Sequence, residues 1–181
     1  MNESFKLKNI TSFTLLASLF ISNASLAADS PEKFLQGLNG EFRGRGEAVI
    51  EISNSQERVS CKLDNAFNAE QKTLSIAGVC ATTQGKAQVD GKLALKDGKV
   101  VGSFLSPFKN SEITQEASDY NDGKLIISTS FVNKNTGNLS RMRQIVVSNP
   151  QGGFNSTFQK FDNATGGYQD TGYVEFSPSG N

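Results

Sequence analysis

The chain has 181 residues, with 18 Lys and Arg against 18 Asp and Glu, two Cys and no His. That balance sets up no global field toward nucleic acid, anionic lipid or an acidic polymer. The missing imidazole removes the commonest general base and the commonest metal ligand together.

Lys6 and Lys8 precede an apolar run from Ile10 to Ile21, and Ser25-Leu26-Ala27 places small residues where a signal peptidase reads. This predicts a secretory leader over residues 1–27, cut after Ala27. A membrane anchor is the competing reading. The run falls short of the roughly 20 apolar residues of a span, and it carries Thr11, Ser12, Thr14 and Ser18. No later stretch is long and apolar enough to cross a bilayer. Without Lys6, Lys8 and Glu3 the balance is 16 basic to 17 acidic residues. The remaining residues, 28–181, are about one domain's worth and enough to bury a core.

Asp29 to Leu38 reads as a lead-in. Ser30 is placed to cap a short helix with Pro31 at its first position, and Phe34, Leu35 and Leu38 give it one apolar face. Strands follow to the carboxyl end. Phe42, Gly44, Gly46, Ala48, Ile50 and Ile52 alternate with Arg43, Arg45, Glu47, Val49 and Glu51, a period of two that marks a half-buried strand.

Next comes a hairpin over Val59–Ala81. Centring its turn between Glu70 and Gln71 puts Phe67 opposite Leu74, Asn65 opposite Ile76, Leu63 opposite Gly78 and Cys61 opposite Cys80. Directly opposed antiparallel Cα atoms lie roughly 4.5–5.5 Å apart, within reach of a disulfide. The register that aligns the apolar side chains thus aligns the sulfurs, and a Cys61–Cys80 disulfide is expected. Two buried thiols are the alternative, and export favours the bond.

Asp97-Gly98 is a strong hairpin signal. It predicts Leu95 opposite Val100, Leu93 opposite Gly102 and Gly91 opposite Phe104. Asp122-Gly123 likewise predicts Tyr120 opposite Leu125, Ser118 opposite Ile127, Glu116 opposite Thr129 and Thr114 opposite Phe131. Further turns at Lys134–Gly137, Asn149–Gly153 and Asn163–Gly167 separate three more strands. Eight to ten strands in tight succession predict an all-β fold, an up-and-down antiparallel barrel with a short N-terminal helix. A two-sheet sandwich is the rival, but it needs longer crossovers.

The short helix followed by Gly40-Glu41-Phe42 resembles the calycin pattern of lipocalins and related barrels. In that pattern a helical turn plugs the barrel floor and a Gly-x-Trp opens the first strand. Phe42 stands where the tryptophan would be. Glu57-Arg58-Val59-Ser60-Cys61, Gly78-Val79-Cys80-Ala81-Thr82, Ser128-Thr129-Ser130-Phe131-Val132 and Phe158-Gln159-Lys160-Phe161-Asp162 are similar to an uncharacterised family of small exported alphaproteobacterial proteins. That likeness implies an envelope location and supplies no function. The cysteine pair, size and lead-in also resemble bacterial metalloprotease inhibitors, small exported barrels with one disulfide and a protruding amino terminus.

No motif for catalysis or for a cofactor emerges. Glu47, Glu51, Asp64 and Asp90 fall on the expected outer face, and no Ser sits in a Gly-x-Ser-x-Gly setting. The reading is a non-catalytic binding protein of the periplasm or the secreted space, holding a small apolar or amphipathic ligand in the barrel. Phe42, Gly46, Phe104 and Phe131 are the expected apolar lining, with room left by inward Gly44, Gly46, Ala48 and Gly91. Glu116, Ser118 and Tyr120 are expected to orient a polar head group, with Arg143 as counter-charge. An exposed edge is the competing reading of the Thr114–Tyr120 strand, and an exposed face that of Arg141 and Arg143. The alternative function is a protein-interaction module, a protease inhibitor or envelope-assembly partner, working through Ala28–Leu38 and turns such as Lys134–Asn138. Neither reading involves nucleic acid or a membrane span.

Overall fold

The computed structural model describes residues 30–50, 55–106, 111–134 and 136–180. The leader expected over residues 1–27 lies outside them, as do the connections at 51–54 and 107–110. Helix α1 (Pro31–Gly37) begins where expected: Ser30 accepts a hydrogen bond from the Lys33 backbone N–H at 3.2 Å, and Pro31 opens the first turn. Proline suits that position because a first-turn N–H has no helical partner to lose.

Ten strands follow. They are β1 (Gly40–Ile50), β2 (Ser55–Asn68), β3 (Thr73–Thr82), β4 (Gly85–Lys96), β5 (Lys99–Ser106), β6 (Ser111–Asn121), β7 (Lys124–Asn133), β8 (Leu139–Ser148), β9 (Phe154–Asp162) and β10 (Gly167–Pro178). They form one antiparallel sheet in the order β5-β4-β3-β2-β1-β10-β9-β8-β7-β6. The fold is thus the expected all-β, up-and-down barrel, with one refinement. The first and last strands pair in the middle of the sheet, and consecutive β5 and β6 are its two edges. The curl brings those edges back together, where Ser118 Oγ on β6 donates to the Val100 carbonyl on β5.

Turn chemistry sets the registers. Asp97 and Gly98 have φ of 49° and 76°, and Asp122 and Gly123 have 47° and 74°. Two consecutive positive φ values make the turn whose twist matches antiparallel strands, and Asp-Gly tolerates it best. The pairs Leu95–Val100, Leu93–Gly102, Tyr120–Leu125, Ser118–Ile127 and Glu116–Thr129 form as expected. The more distant pairs do not. A bulge between Asp90 and Lys92 ends the Gly91–Phe104 match, and Thr114 is the extra residue of a bulge that puts Ile113 opposite Phe131. Such a bulge adds one residue, which shifts every later pair and bends the strand.

In the β2–β3 hairpin all four expected pairs are present, and Cys61 and Cys80 are bonded with Cα atoms 4.1 Å apart. The inner face buries Val59, Cys61, Leu63, Leu74, Ile76, Leu93, Leu125, Val146, Val174 and Phe176. Helix α1 closes one end. Its Phe34 packs on Tyr120 with ring centroids 5.1 Å apart, and Leu35 and Leu38 are buried. Asn65, a polar residue in an apolar row, donates Nδ2 to the Leu38 carbonyl at 2.9 Å and so ties the helix to β2. Asn39 Oδ1 accepts from the Phe67 N–H at 2.8 Å beside it.

The disulfide closes a loop with a sequence separation of 19, and a bridge over such a loop contributes about 3 kcal/mol. Reduction with dithiothreitol is therefore expected to lower the thermal midpoint by about 6–12 °C. Differential scanning calorimetry of oxidised and reduced protein checks this, and equal midpoints would refute it.

Candidate functional site

The barrel interior divides into a filled half and a hollow half. Near α1, Phe154 stacks on Phe176 at 4.5 Å and meets Phe42 and Phe104 edge-on at 5.0 and 5.6 Å. That four-ring cluster leaves no room for a ligand. Toward the opposite end lies a cavity of about 270 Å³. One wall is Ala48, Val59, Cys61, Cys80, Ala87 and Val89, from β1 to β4. The facing wall is Met142, Phe158, Thr171, Val174 and Phe176, from β8 to β10. Almost every lining side chain is apolar, and the disulfide forms part of the surface. Ala87 is exposed, so the cavity reaches solvent there.

The expected site residues are not gathered at this cavity. Phe42 and Phe104 belong to the filled cluster. Phe131 is buried on β7, Glu116 is exposed, and Ser118 and Tyr120 serve the β5–β6 seam and the helix contact. Arg143 does not turn inward. On β8 the buried residues are Gln144 and Val146, and Arg143 lies on the other face with its guanidinium 3.9 Å above the Tyr168 ring. Arg141 repeats the arrangement 3.6 Å above Phe161, and Phe161 meets Tyr168 edge-on at 5.3 Å. Each guanidinium gains from the negative face of a ring. On that outer face Arg141 is exposed and Arg143 half-buried.

Gly46 marks a close approach of backbones. A Cβ there would run into the Tyr173 carbonyl and come within 2.7 Å of Val174 Cα. At Gly44 a Cβ would meet the Phe176 ring and lie 2.8 Å from Val174 Cγ1. The room expected beside these glycines is already taken by β10.

One residue that sequence reasoning passed over stands at the hollow end. Glu57 is opposite Ala48 in the β1–β2 register and two residues before Val59 on the same face. It is 9% exposed. Its carboxylate accepts from Thr83 Oγ1 at 2.6 Å and from Gln84 Nε2 at 2.9 Å. These two hydrogen bonds hold its pKa below the ordinary glutamate range, against the opposing effect of burial. The signal was present in the sequence: alternation counted back from Cys61 and Val59 puts Glu57 inward. Among the described residues no group of His, Cys, Asp and Glu is arranged to hold a metal ion.

No family model matches the chain, and no curated protein matches it in sequence. Its fold is similar to that of the S-type phycobiliprotein lyase CPES from Guillardia theta, with a TM-score of 0.56 and 13% sequence identity. The match covers 84% of this chain and 94% of the lyase. The likeness is one of fold.

Two outcomes follow from the geometry. Gly46→Leu is expected to lose about 3 kcal/mol or more, because its side chain meets backbone rather than empty space; urea unfolding reads this. Glu57 has a folded-state pKa below its unfolded one. Its contribution to stability is therefore present at neutral pH and is lost as pH falls through the folded-state value. Glu57→Gln should accordingly flatten the fall of the urea midpoint on acidification.

Proposed function

We propose that this protein is an exported, non-catalytic binding protein that holds a small apolar or amphipathic molecule inside its barrel. The observation that carries the reading is the apolar cavity between the β1–β4 and β8–β10 walls, open at Ala87. Its 270 Å³ lies just below the roughly 300–1,000 Å³ of pockets for drug-sized ligands. A single short alkyl chain or a small ring system suits it better than a large polycyclic molecule. Few polar side chains interrupt the walls, as expected where burial of apolar surface drives binding. The fold shared with a phycobiliprotein lyase supports a binding role. The Cys61–Cys80 disulfide suits the periplasm or the secreted space, where such bonds persist. The chain has no His, and the two Cys are bonded to each other. Nucleophilic and metal-assisted chemistry would have to come from other groups.

The test is binding of N-phenyl-1-naphthylamine, a neutral probe that fluoresces in apolar surroundings. Wild-type protein is expected to bind it saturably. Ala87→Phe, which grows from an exposed position into the cavity mouth, should weaken binding by about tenfold with the thermal midpoint little changed. Native mass spectrometry of protein purified from its own envelope would then identify the resident molecule. Absence of saturable binding in the wild type, or undiminished binding in Ala87→Phe, would sink the proposal.

A further inference from the structure

We propose that the outer face of β1 and β2 is a second binding site, and that it takes a phosphomonoester carried on a small polar body. The site lies on the other side of the sheet from the cavity and does not rest on the ligand-holding reading above.

The register brings the site together. Arg43, Arg45 and Glu47 of β1 stand directly opposite Lys62, Ser60 and Arg58 of β2, and all six are exposed. Ser60 is the centre of the cluster. Arg45 faces it across the ladder, Arg58 and Lys62 flank it on its own strand, and Arg43 lies on the diagonal. Opposed residues on such a face have Cβ atoms roughly 4.5–5.5 Å apart and diagonal ones lie within roughly 7–8 Å. Four long basic side chains thus surround one hydroxyl. A groove of about 670 Å³ opens here, with Arg45, Arg58, Ser60, Ala81, Thr82 and Thr83 in its lining.

Three features separate this cluster from an ordinary solvated face. Its cations have no anionic partner: the one ion pair among the described residues joins Lys72 to Glu32. Glu47 accepts from Gln56 Nε2 at 2.6 Å, and Glu175, opposite Arg45 on β10, makes no ion pair with it. Secondly, Arg43 against Lys62 is a directly opposed like-charge pair, which destabilises a sheet. Thirdly, basic side chains commonly guard exposed sheet edges against mispairing, yet β1 and β2 are interior strands. The cluster therefore weakens the sheet without protecting an edge, and a bound anion offsets that repulsion.

The arrangement selects phosphate among anions. A guanidinium is a rigid fork that pairs two oxygens at once. A phosphomonoester carries a charge of about −1.5 to −2 at pH 7 and three acceptor oxygens, enough to engage Arg45, Arg58 and the Ser60 hydroxyl together. A carboxylate has one charge and two oxygens, and it leaves one fork unpaired. Beyond the cations the groove offers the small or hydroxylated Ala81, Thr82 and Thr83, which suit a hydroxylated body better than an acyl chain.

Isothermal titration calorimetry with glycerol 3-phosphate, acetate and glycerol at pH 7 and low salt tests this. Glycerol 3-phosphate is expected to bind saturably, acetate about tenfold or more weakly, and glycerol not at all. Arg45→Gln and Arg58→Gln, both at exposed positions, should each weaken glycerol 3-phosphate about tenfold, and Ser60→Glu should abolish its binding. Lys96→Gln, which removes a positive charge beside the β4–β5 turn, should leave it unchanged. Equal affinity for acetate, or an equal loss in Lys96→Gln, would show only a general attraction of anions and overturns the proposal. Undiminished binding in both arginine variants overturns it as well. Co-sedimentation with phosphatidylglycerol vesicles, without binding of glycerol 3-phosphate, overturns it in favour of a membrane-facing surface. The cavity reading stands or falls separately, on the neutral fluorescent probe.

Discussion

The barrel depends on the close approach of its first and last strands. Gly44 and Gly46 on β1 carry no side chain, so the β10 backbone and the Val174 and Phe176 side chains occupy the space a Cβ would need. Residues Phe42 to Ala48 pair without interruption with Pro178 to Gly172. This contact is formed by the two ends of the described chain, and it sits at the centre of the sheet rather than at an edge. From it the sheet curls both ways, until β2–β4 face β8–β10 across the interior. Both the core and the cavity are products of that curl. A flatter β1–β10 junction would leave two amphipathic half-sheets with nothing to bury against.

The two ends of the interior are built differently. At the helix end, α1 supplies Phe34, Leu35 and Leu38, and the four phenylalanines behind it fill the space. Two asparagines tie that end together: Asn65 Nδ2 holds the end of the helix and Asn39 caps a backbone N–H of β2. At the other end the inward side chains become small, Ala48, Cys61, Cys80 and Ala87, and the walls no longer meet. A bulge where Gly172 pairs Phe158 but Asp170 pairs Gln159 turns β10 at this level, leaving Thr171 as the extra residue. Bulges near barrel rims commonly re-aim side chains in this way. Stability and hollowness are thus separated along the barrel axis, so a cavity costs little of the core.

Much of the fold was legible in the sequence, and for local reasons. Asp-Gly turns dictate a register, and the sulfurs of Cys61 and Cys80 confirm one. Those pairings hold for as long as the strands stay regular. They fail beyond Lys92 and beyond Gln115, because a bulge leaves no mark in a period-two pattern that tolerates Gly91 or Thr114 on either face. The pairing of β1 with β10 was less accessible, since nothing local links Gly46 to Val174. The candidate site was least legible. It is made of side chains that meet across the barrel rather than along a strand. Inward glycines were read as empty space, whereas Gly44 and Gly46 mark occupied space. Arg143 was expected inward as a counter-charge, but parity on β8 places it with Arg141 over the outer aromatic pair.

Glu57 shows why a polar residue can be the most informative one in an apolar row. Local rules agree almost everywhere in this chain: turn residues suit their turns, and apolar positions face inward. Where such agreement breaks, function is a common cause. Asn65 breaks the β2 pattern at the closed end, and its bond to the helix accounts for it. Glu57 breaks the same strand's pattern at the other end, and its hydrogen bonds from Thr83 and Gln84 tie β2 to the β3–β4 connection. The carboxylate is held ionised by donors that come from a separate hairpin. One strand therefore carries a polar tie at each end, Asn65 to the helix and Glu57 to the β3–β4 connection.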